Sequence, residues 1–387
     1  MPGTLQAEAL DADGNIIAGV GAPTFSVAQT SGASFALTNP TATAPNTIVF
    51  GQPATSGQAA TYTLTASYPD AACSTSGATC TLNFSVTSHQ QVLVASVGNG
   101  YQVWEPPYTA APITLSGVTG SLQLVNSAAF DATGNLYVVD SQYNGGSGQI
   151  LAYAPPYTGS PTSIGAGTVS DVTAVVIGPD GKMFVSSFDN STVYIWTPPY
   201  TGSPTAVTTD VNEPSSLALD ANEDLFVGNF NGSAALEFAP PYTDTPTLLN
   251  GTSMTESIHV APLGEAFLID IGLSGLLEFL PPYTGAPTTL TNGVNNPEDV
   301  AFAGNGTMFV SQANGIAIFL PPYTGTPTSI SLPAGSGVGL AVDAAGAVFS
   351  GNYTNDNITV YPPPYTTSTA YKTITTTQAV YDVDLSR

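Results

Sequence analysis

Short runs of apolar residues recur along the chain, separated by clusters of glycine, asparagine, aspartate and proline. β-Branched and aromatic residues dominate these runs, and the runs are too short and too often interrupted for helices. The residues between them tolerate the backbone conformations of hairpin turns. The pattern therefore predicts an all-β protein built from many short strands.

From residue 91 onwards the runs fall into a repeating group of four, marked by the tetrapeptide PPYT. Its seven tyrosines lie 40 to 49 residues apart and are Tyr108, Tyr157, Tyr200, Tyr242, Tyr283, Tyr323 and Tyr365. This period is typical of the four-stranded blades of a β-propeller. The first group lacks its first run, and a matching run appears at residues 379–386. The sequence therefore predicts a seven-bladed β-propeller over residues 89–387, with the first blade closed by the C-terminal strand.

The PPYT segment has two interpretations. Pro-Pro cannot continue a strand ladder, so it is expected to stop the third strand and start an extended turn. Tyrosine has a large apolar body and a polar tip, which suits it to sealing the gap to the next blade. Alternatively, the seven segments form a multivalent surface for a ligand or for self-association. Recurrence in every blade favours packing.

Residues 1–88 lack the repeat but contain alternating strands separated by turn clusters. Six or seven short strands in fewer than about 100 residues predict an immunoglobulin-type β-sandwich. Through residues 10–27 and 60–68, this segment resembles the bacterial Ig-like modules of surface and adhesion proteins. The resemblance implies a spacer domain in front of the propeller.

The charge balance excludes some partners. The chain has 27 acidic residues and three lysines and arginines, for a net charge of −24. No basic footprint for nucleic acid or an anionic membrane can be assembled. No apolar run approaches the roughly 18–20 residues of a membrane span, so no membrane insertion is predicted. The composition suits an extracellular or cell-surface protein, although no signal peptide is visible.

The two cysteines, Cys73 and Cys80, enclose a short segment rich in serine, threonine and glycine. Such a pair predicts a local disulfide in an oxidising compartment, with two free thiols as the alternative.

Acidic residues recur in the loops that lead into the first strands of four successive blades. They are Asp171, Glu213, Glu256 and Glu298, with Asp299 beside the last. A converging arc of carboxylates is able to bind Ca²⁺ or to raise one carboxyl pKa towards the range of a general base. The alternative is a solvated acidic rim on an acidic protein.

A second set of polar residues ends the second strands: Ser96, Asp140, Ser187, Asn229, Asp270, Gln312 and Asn352. They predict either a polar ring around the channel or, by preference, caps for nearby turns. His259 occupies a position where most blades carry alanine. It is either a residue that reaches a ligand or a hydrogen-bonded histidine of the inner strand.

Aromatic residues lie beside asparagine and aspartate in the loops after the second strands. They are Tyr143, Phe188, Phe230 and Tyr353. Stacking and hydrogen bonding by such groups favour a saccharide-binding site. The alternative is that each ring covers its own blade.

The blades, most clearly at residues 131–156, resemble the NHL and streptogramin-lyase group of bacterial propellers. The resemblance spans residues 91–387 and implies the fold; propellers of this group include lyases, lactonases, sensors and binding modules. Its lyases place histidine and glutamate around a divalent metal. Here Glu256 and Glu265 flank His259, but the other histidine, His89, falls at the domain junction and a second propeller histidine is missing.

The function expected from these observations is a non-enzymatic, extracellular propeller with a binding or structural role. Its predicted partner is a surface polysaccharide or other copies of the same chain, as in a surface layer or fibre. The alternative is a metal-dependent lyase or hydrolase of the streptogramin-lyase or lactonase-like type, using Glu256, His259 and Glu298.

Overall fold

The computed structural model describes residues 2–4, 23–32, 37–41, 46–50, 58–67, 80–88, 91–98, 100–119, 128–141, 148–243, 245–271, 273, 275–312, 315–332, 336–365 and 370–386. In these residues the chain is all β, with no helix. It forms two compact units, Val92–Ser386 and Met1–Gln91 with Arg387. None of the described residues forms a helix long and apolar enough to cross a membrane.

The N-terminal unit contains two three-stranded antiparallel sheets in its described part, ordered β1-β4-β3 and β2-β5-β6. Residues from both sheets, including Phe25, Ile48 and Tyr62, share one buried cluster. The Ig-like topology stays a prediction, because several connecting segments lie outside the described residues. The strands are β1 (Pro2–Thr4), β2 (Thr24–Gly32), β3 (Leu37–Thr38), β4 (Thr47–Phe50), β5 (Gln58–Ser67) and β6 (Cys80–Ser88).

The second unit is a ring of seven four-stranded antiparallel blades, which confirms the predicted propeller. Its strands up to the fourth blade are β7 (Leu93–Val97), β8 (Gly100–Trp104), β9 (Ile113–Thr114), β10 (Ala128–Phe130), β11 (Leu136–Asp140), β12 (Gln149–Tyr153), β13 (Thr162–Ile164), β14 (Val172–Ile177), β15 (Met183–Ser187), β16 (Thr192–Trp196), β17 (Thr205–Val207), β18 (Pro214–Leu219), β19 (Leu225–Asn229), β20 (Ala235–Phe238) and β21 (Thr247–Leu249). The remaining strands are β22 (Thr255–Val260), β23 (Ala266–Asp270), β24 (Leu276–Phe279), β25 (Thr288–Leu290), β26 (Pro297–Phe302), β27 (Met308–Gln312), β28 (Gly315–Phe319), β29 (Thr328–Ser331), β30 (Ser336–Val342), β31 (Val348–Asn352), β32 (Asn357–Tyr361), β33 (Lys372–Thr375) and β34 (Val380–Leu385).

Blade 1 consists of β34, β7, β8 and β9, and blades 2 to 7 take four strands each in chain order from β10. The first, or inner, strands of successive blades contact one another around the centre. Each blade is buried on both faces, because its strands alternate side chains between two neighbouring blades. The core of the propeller therefore lies between the blades.

The C-terminal strand closes the ring, as predicted. In β34, Val383 pairs with Ala95 and Leu385 with Leu93 of β7. Ser386 secures the end of this pairing: its hydroxyl accepts a hydrogen bond from the Val92 amide at 2.7 Å. Because β34 pairs along the whole of β7, no open edge remains inside blade 1.

The PPYT segment forms a tight turn between the third and fourth strands. In all seven copies the Pro–Pro bond is cis and the tyrosine has a positive φ between 58° and 68°. The tyrosine amide donates to the carbonyl three residues earlier, at 2.9 Å in Tyr108. This hydrogen bond closes a four-residue turn. Pro-Pro therefore follows the end of the third strand and begins a turn, as predicted.

The motif tyrosines join neighbouring blades, but each ring packs on the preceding blade rather than the next one. Six of them contact the aromatic ring at the second position of that blade's second strand, edge to face, with centroids 5.1 to 5.5 Å apart. The pairs are Tyr108–Phe349, Tyr200–Tyr137, Tyr242–Phe184, Tyr283–Phe226, Tyr323–Phe267 and Tyr365–Phe309. Each such pair contributes about 0.5–1.5 kcal/mol beyond the area it buries.

The tyrosine hydroxyls bind the turns between the first and second strands of their own blades. Six of them donate to a turn carbonyl at 2.6 to 2.9 Å: Tyr157 to Gly134, Tyr200 to Gly181, Tyr242 to Glu223, Tyr283 to Gly264, Tyr323 to Gly306 and Tyr365 to Gly346. Both kinds of turn therefore lie at one end of the ring, the lower face. The packing interpretation of PPYT accounts for the contacts of these rings.

Candidate functional site

The upper face is the end of the ring opposite the PPYT turns. It carries the leading loops, which precede the inner strands, and the loops between the second and third strands. Ligands of propellers and barrels are held by loops that converge at one end of a channel, so this face is the candidate site.

Polar residues at the ends of the second strands fix the leading loops. The Asp270 carboxylate accepts from the Ser253 and Met254 amides at 2.6 and 3.1 Å. Asp140, Ser187, Asn229 and Gln312 accept in the same way from leading-loop amides at 2.8 to 2.9 Å. With Asn352, which caps the turn after its own strand, capping is confirmed for six of the seven predicted residues.

The two other members of this set do not bind a leading loop. Asn352 accepts from the Thr354 and Asn355 amides, so it caps the loop that follows it. The buried Ser96 hydroxyl has no hydrogen-bond partner among the described residues. In blade 1 the Gln102 side chain contacts the leading loop instead, through Thr377.

The leading loops in turn hold the aromatic loops. The carbonyls of Asp171, Glu213 and Met254 accept from the amides of Phe188, Phe230 and Ile271, at 3.0, 3.1 and 2.8 Å. Asp171 and Glu213 have φ values of 46° and 48°, which turn the chain sharply into the inner strand. In these three blades, the residue after the second strand is therefore bonded to the loop that leads into the inner strand of the same blade.

The structure does not place the four predicted carboxylates at equivalent positions in their blades. Asp171 and Glu213 lie just before their inner strands, whereas Glu256 and Glu298 are the second residues of β22 and β26. A β-bulge follows the first residue of these strands, and the two glutamates lie at that bulge. β18 has the same bulge after Pro214, with Ser215 at the position of the two glutamates, so the four acids occupy two different positions of the blade.

Side chains near the bulge bond one inner strand to the next. The Thr173 hydroxyl donates to the Pro214 carbonyl at 2.7 Å, and the Ser215 hydroxyl donates to the Thr255 carbonyl at 2.6 Å. Glu256 and Glu298 hold this same position in blades 5 and 6. The inner strands of blades 3, 4 and 5 are therefore joined by side-chain hydroxyls near the upper end of the channel.

His259 and Asp299 form a pair between blades 5 and 6. The His259 Nε2 atom lies 3.2 Å from Asp299 Oδ1 and 3.2 Å from the Ser257 hydroxyl oxygen. The second Asp299 oxygen accepts from the Leu340 amide of blade 7 at 2.6 Å. The structure therefore gives His259 the hydrogen-bonded inner-strand position, one of its two predicted roles.

Three of the carboxyl groups on this face have raised pKa values. Burial raises the pKa of Glu256, and the negative charge of Glu298 adds to the effect. Although Glu298 retains contact with solvent, desolvation by the surrounding blades raises its pKa. Burial raises the pKa of Asp171, and the neighbouring Asp189 raises it further. These three carboxyl groups therefore keep their protons to a higher pH than exposed carboxyl groups do.

Sequence analysis did not single out the acidic residues of the closing strand. Desolvation raises the pKa of Asp382 well above its usual range, and the charges of Asp384 and Asp299 add to this. A Cβ on Gly339 would lie 2.7 Å from the Asp382 Cα, so glycine allows these strands to approach closely. Aligning residues 379–386 with the other inner strands would have placed Asp382 level with Asp299.

Aromatic rings lie on the rim of the same face. The partly exposed rings of Phe188 and Phe230, in adjacent blades, have centroids 5.8 Å apart. Tyr353, 49% exposed, lies edge-on to Tyr381 with centroids 5.3 Å apart. Tyr143 lies outside the described residues.

The metal site and the disulfide both stay predictions. In the described part of the chain, no three His, Cys, Asp or Glu side chains group closely enough to hold a metal ion. Ca²⁺ also takes carbonyl and amide oxygens, so the site at Asp171, Glu213, Glu256, Glu298 and Asp299 stays a prediction. Cys73 lies outside the described residues, so the disulfide to Cys80 stays a prediction.

The propeller shares its fold with several solved structures, all with low sequence identity. A proposed 6-phosphogluconolactonase of Bacteroides fragilis has 11% identity and a TM-score of 0.58, over 77% of this chain and 98% of that one. The virginiamycin B lyase of Staphylococcus aureus has 11% identity and a TM-score of 0.54, over 65% and 84%. A streptogramin B lyase has 12% identity and a TM-score of 0.52, over 63% and 83%.

No protein family profile and no curated protein sequence matches the chain. The chain is a seven-bladed β-propeller similar in fold to lactonase-like and streptogramin-lyase propellers. Identities this low establish the fold alone.

Proposed function

We propose that the protein is a non-enzymatic, extracellular propeller that binds a neutral surface polysaccharide at its upper face. The observation that carries the proposal is the adjacent pair of partly exposed rings, Phe188 and Phe230. Both are held in place by backbone hydrogen bonds to the leading loops. A preorganised aromatic platform loses little conformational entropy when a ligand stacks on it.

The surroundings of the platform favour a hydroxyl-rich ligand. The exposed Asp189, Asn190 and Asn231 offer carboxylate and amide groups beside the two rings. Sites of this kind combine apolar contact area with a few polar groups that fix orientation. The net charge of −24 opposes an anionic polymer. A neutral polysaccharide fits both conditions, and the N-terminal unit would serve as a spacer at the cell surface.

The test is binding of neutral polysaccharides to wild-type protein and to the double variant Phe188→Ala/Phe230→Ala. A glycan array selects the ligand and isothermal titration calorimetry measures its affinity. We expect the double variant to raise Kd by at least about tenfold, because interface aromatics dominate binding energy. Tyr371→Ala is the matched control, since Tyr371 is 79% exposed and lies beside an outer strand. An empty array, or unchanged affinity in the double variant, would reject the proposal.

A second candidate is a lyase or hydrolase, favoured by the His259–Asp299 pair and by the raised pKa of Glu256, which precedes His259 on the same strand. Perturbed acids next to a histidine at a channel mouth are frequent in active sites. Screening lactones and cyclic depsipeptides with and without added Mg²⁺ tests it. Turnover that Glu256→Gln abolishes would favour the enzyme over the binding protein.

A further inference from the structure

A groove with a volume of about 740 Å³ lies between blades 2 and 3, on the outer side of the ring. One wall is the outer half of blade 2, including Ala152 and Thr162. The other is the PPYT turn of blade 3, from Pro199 to Pro204. Its volume falls within the roughly 300–1,000 Å³ of small-molecule binding sites.

One small residue opens this groove. In every blade, a row of three residues on the second, third and fourth strands faces the PPYT turn of the next blade. In blade 2 the row is Tyr137, Ala152 and Thr162, which pair directly across the strands. The residues equivalent to Ala152 are larger in the other six blades: Val103, Ile195, Glu237, Glu278, Ile318 and Val360.

The segment after β13 widens the groove. The residue after the fourth strand is Gly165 in this blade, whereas the other six blades have a serine, threonine or asparagine at this position. A Cβ on Gly165 would lie 3.3 Å from Trp196 Cη2 and 3.4 Å from Cζ2. Because Gly165 has no side chain, the edge of the Trp196 indole ring forms part of the wall of the groove.

The lining is polar but uncharged. Hydroxyl and amide groups come from Asn135, Thr162, Ser163, Thr168 and Ser203, and aromatic rings from Tyr137, Tyr153, Trp196 and Tyr200. No lining residue is acidic or basic, in a chain with 27 acidic residues. An ionic ligand would lose its hydration without gaining a counter-charge. A neutral, hydroxyl-rich ligand would keep its hydrogen bonds and gain contact with the rings.

We propose that the groove between blades 2 and 3 is a second ligand site, which takes a neutral oligosaccharide. It runs along the outer side of the ring, from the PPYT turn of blade 3 to the leading loop of the same blade. It shares no residue with the platform of Phe188 and Phe230, although Asn190 beside that platform donates to the Thr168 carbonyl of this loop.

The test uses intrinsic fluorescence, because the chain has two tryptophans and one of them borders the groove. Trp104→Phe leaves Trp196 as the sole reporter. Maltohexaose, cellohexaose and mannohexaose are titrated into this variant, and calorimetry repeats each titration with the wild type. We expect a saturable change in Trp196 emission with at least one neutral hexasaccharide.

Ala152→Ile is the decisive variant, since blades 3 and 6 carry isoleucine at that position. We expect it to fold normally, to fill the groove and to raise the Kd of the hexasaccharide by at least about tenfold. Phe188→Ala/Phe230→Ala should leave this Kd unchanged, which separates the two proposed sites.

Several results would overturn the proposal. One is a titration that gives neither heat nor a change in Trp196 fluorescence with any neutral hexasaccharide. Another is an Ala152→Ile variant that binds the hexasaccharide as tightly as the wild type. The third is a hexagalacturonate that binds more tightly than the neutral sugars. Sedimentation velocity covers the remaining alternative. If Ala152→Ile instead abolishes self-association, the groove receives the proline-rich turn of a second copy, and the saccharide assignment is wrong.

Discussion

At the residue scale, Asp299 connects three parts of the ring. One carboxylate oxygen accepts from the Val300 amide at 2.8 Å and lies near His259, while the other accepts from the Leu340 amide of blade 7. A ligand that drew Asp299 away would break these contacts and leave buried polar groups unpaired. Asp299 is therefore better suited to positioning His259 than to binding a ligand itself.

The raised pKa of Asp382 makes the blade 7–blade 1 seam sensitive to pH. The folded protein holds this proton more tightly than the unfolded chain does. The associated stability is present below the ordinary pKa of an aspartate and is lost as pH rises through the raised folded value. We expect Asp382→Asn to raise the melting temperature at pH 7 and to reduce its fall between pH 5 and pH 7.

Asp356→Asn is the matched control, because it removes one negative charge from an exposed loop residue with a positive φ that asparagine tolerates. Thermal melts of the three proteins across this pH range make the comparison. Other acids with raised pKa values, including Asp224 with a pKa of about 6, also make the melting temperature depend on pH. Part of its fall between pH 5 and pH 7 therefore remains in Asp382→Asn. Equal gains from both variants would mean that general charge repulsion, and not the seam, controls the effect.

At the scale of elements, the PPYT turn acts as a clip between blades. The Tyr323 ring, 1% exposed, packs on Phe267 of the preceding blade, and its hydroxyl binds the Gly306 carbonyl of its own blade. One residue thus fixes the distance between two blades and the position of a hairpin turn. The same clip recurs around the ring, which explains the constancy of the tetrapeptide.

We expect Tyr323→Phe to lower the free energy of unfolding by about 1–3 kcal/mol, because the Gly306 carbonyl loses its buried donor. Tyr323→Ala should cost about 3–5 kcal/mol, since it also leaves a cavity. Urea unfolding followed by tryptophan fluorescence reports on the propeller, which contains both tryptophans. The exposed Tyr371→Phe should change stability by less than about 0.5 kcal/mol. Similar losses from Tyr323→Phe and Tyr371→Phe would contradict the clip.

The repeat made the propeller, its blade count and its closing strand predictable, because each property depends on spacing and on apolar pattern alone. The caps at Asp270 and Gln312 were predictable for the same reason. The bulges of the inner strands were not, since an inserted residue leaves the apolar pattern intact. The two-place difference between Glu213, just before its strand, and Glu256, within its strand, was also not predictable, because the leading loops differ in length. The groove beside Ala152 was also missed, because it depends on cross-strand register.

At the scale of the whole molecule, closure depends on a strand far away in the chain. Deleting residues 379–387 removes β34, and with it the pairing to β7 and the Ser386 contacts to Val92. β7 then becomes an open edge next to the channel. We expect the truncated protein to lose its cooperative unfolding transition and to aggregate.

Thermal unfolding and size-exclusion chromatography of the truncated chain test this expectation. Adding a synthetic peptide of residues 379–387 should restore part of the transition, because it offers the same strand in trans. A peptide with Val383→Asp is the control, since Val383 is 1% exposed in the seam. A truncated protein with the melting temperature of the full chain would show that closure does not need β34.

The composite first blade also has a consequence for protein synthesis. A ribosome produces β7 and β8 early, but the strand that completes their blade emerges after the six other blades. Blades 2 to 7 are each contiguous, so they are able to form one after another as the chain lengthens. The ring itself closes after translation of the last strand, and until then the growing chain exposes two unpaired blade surfaces to whatever assists its folding.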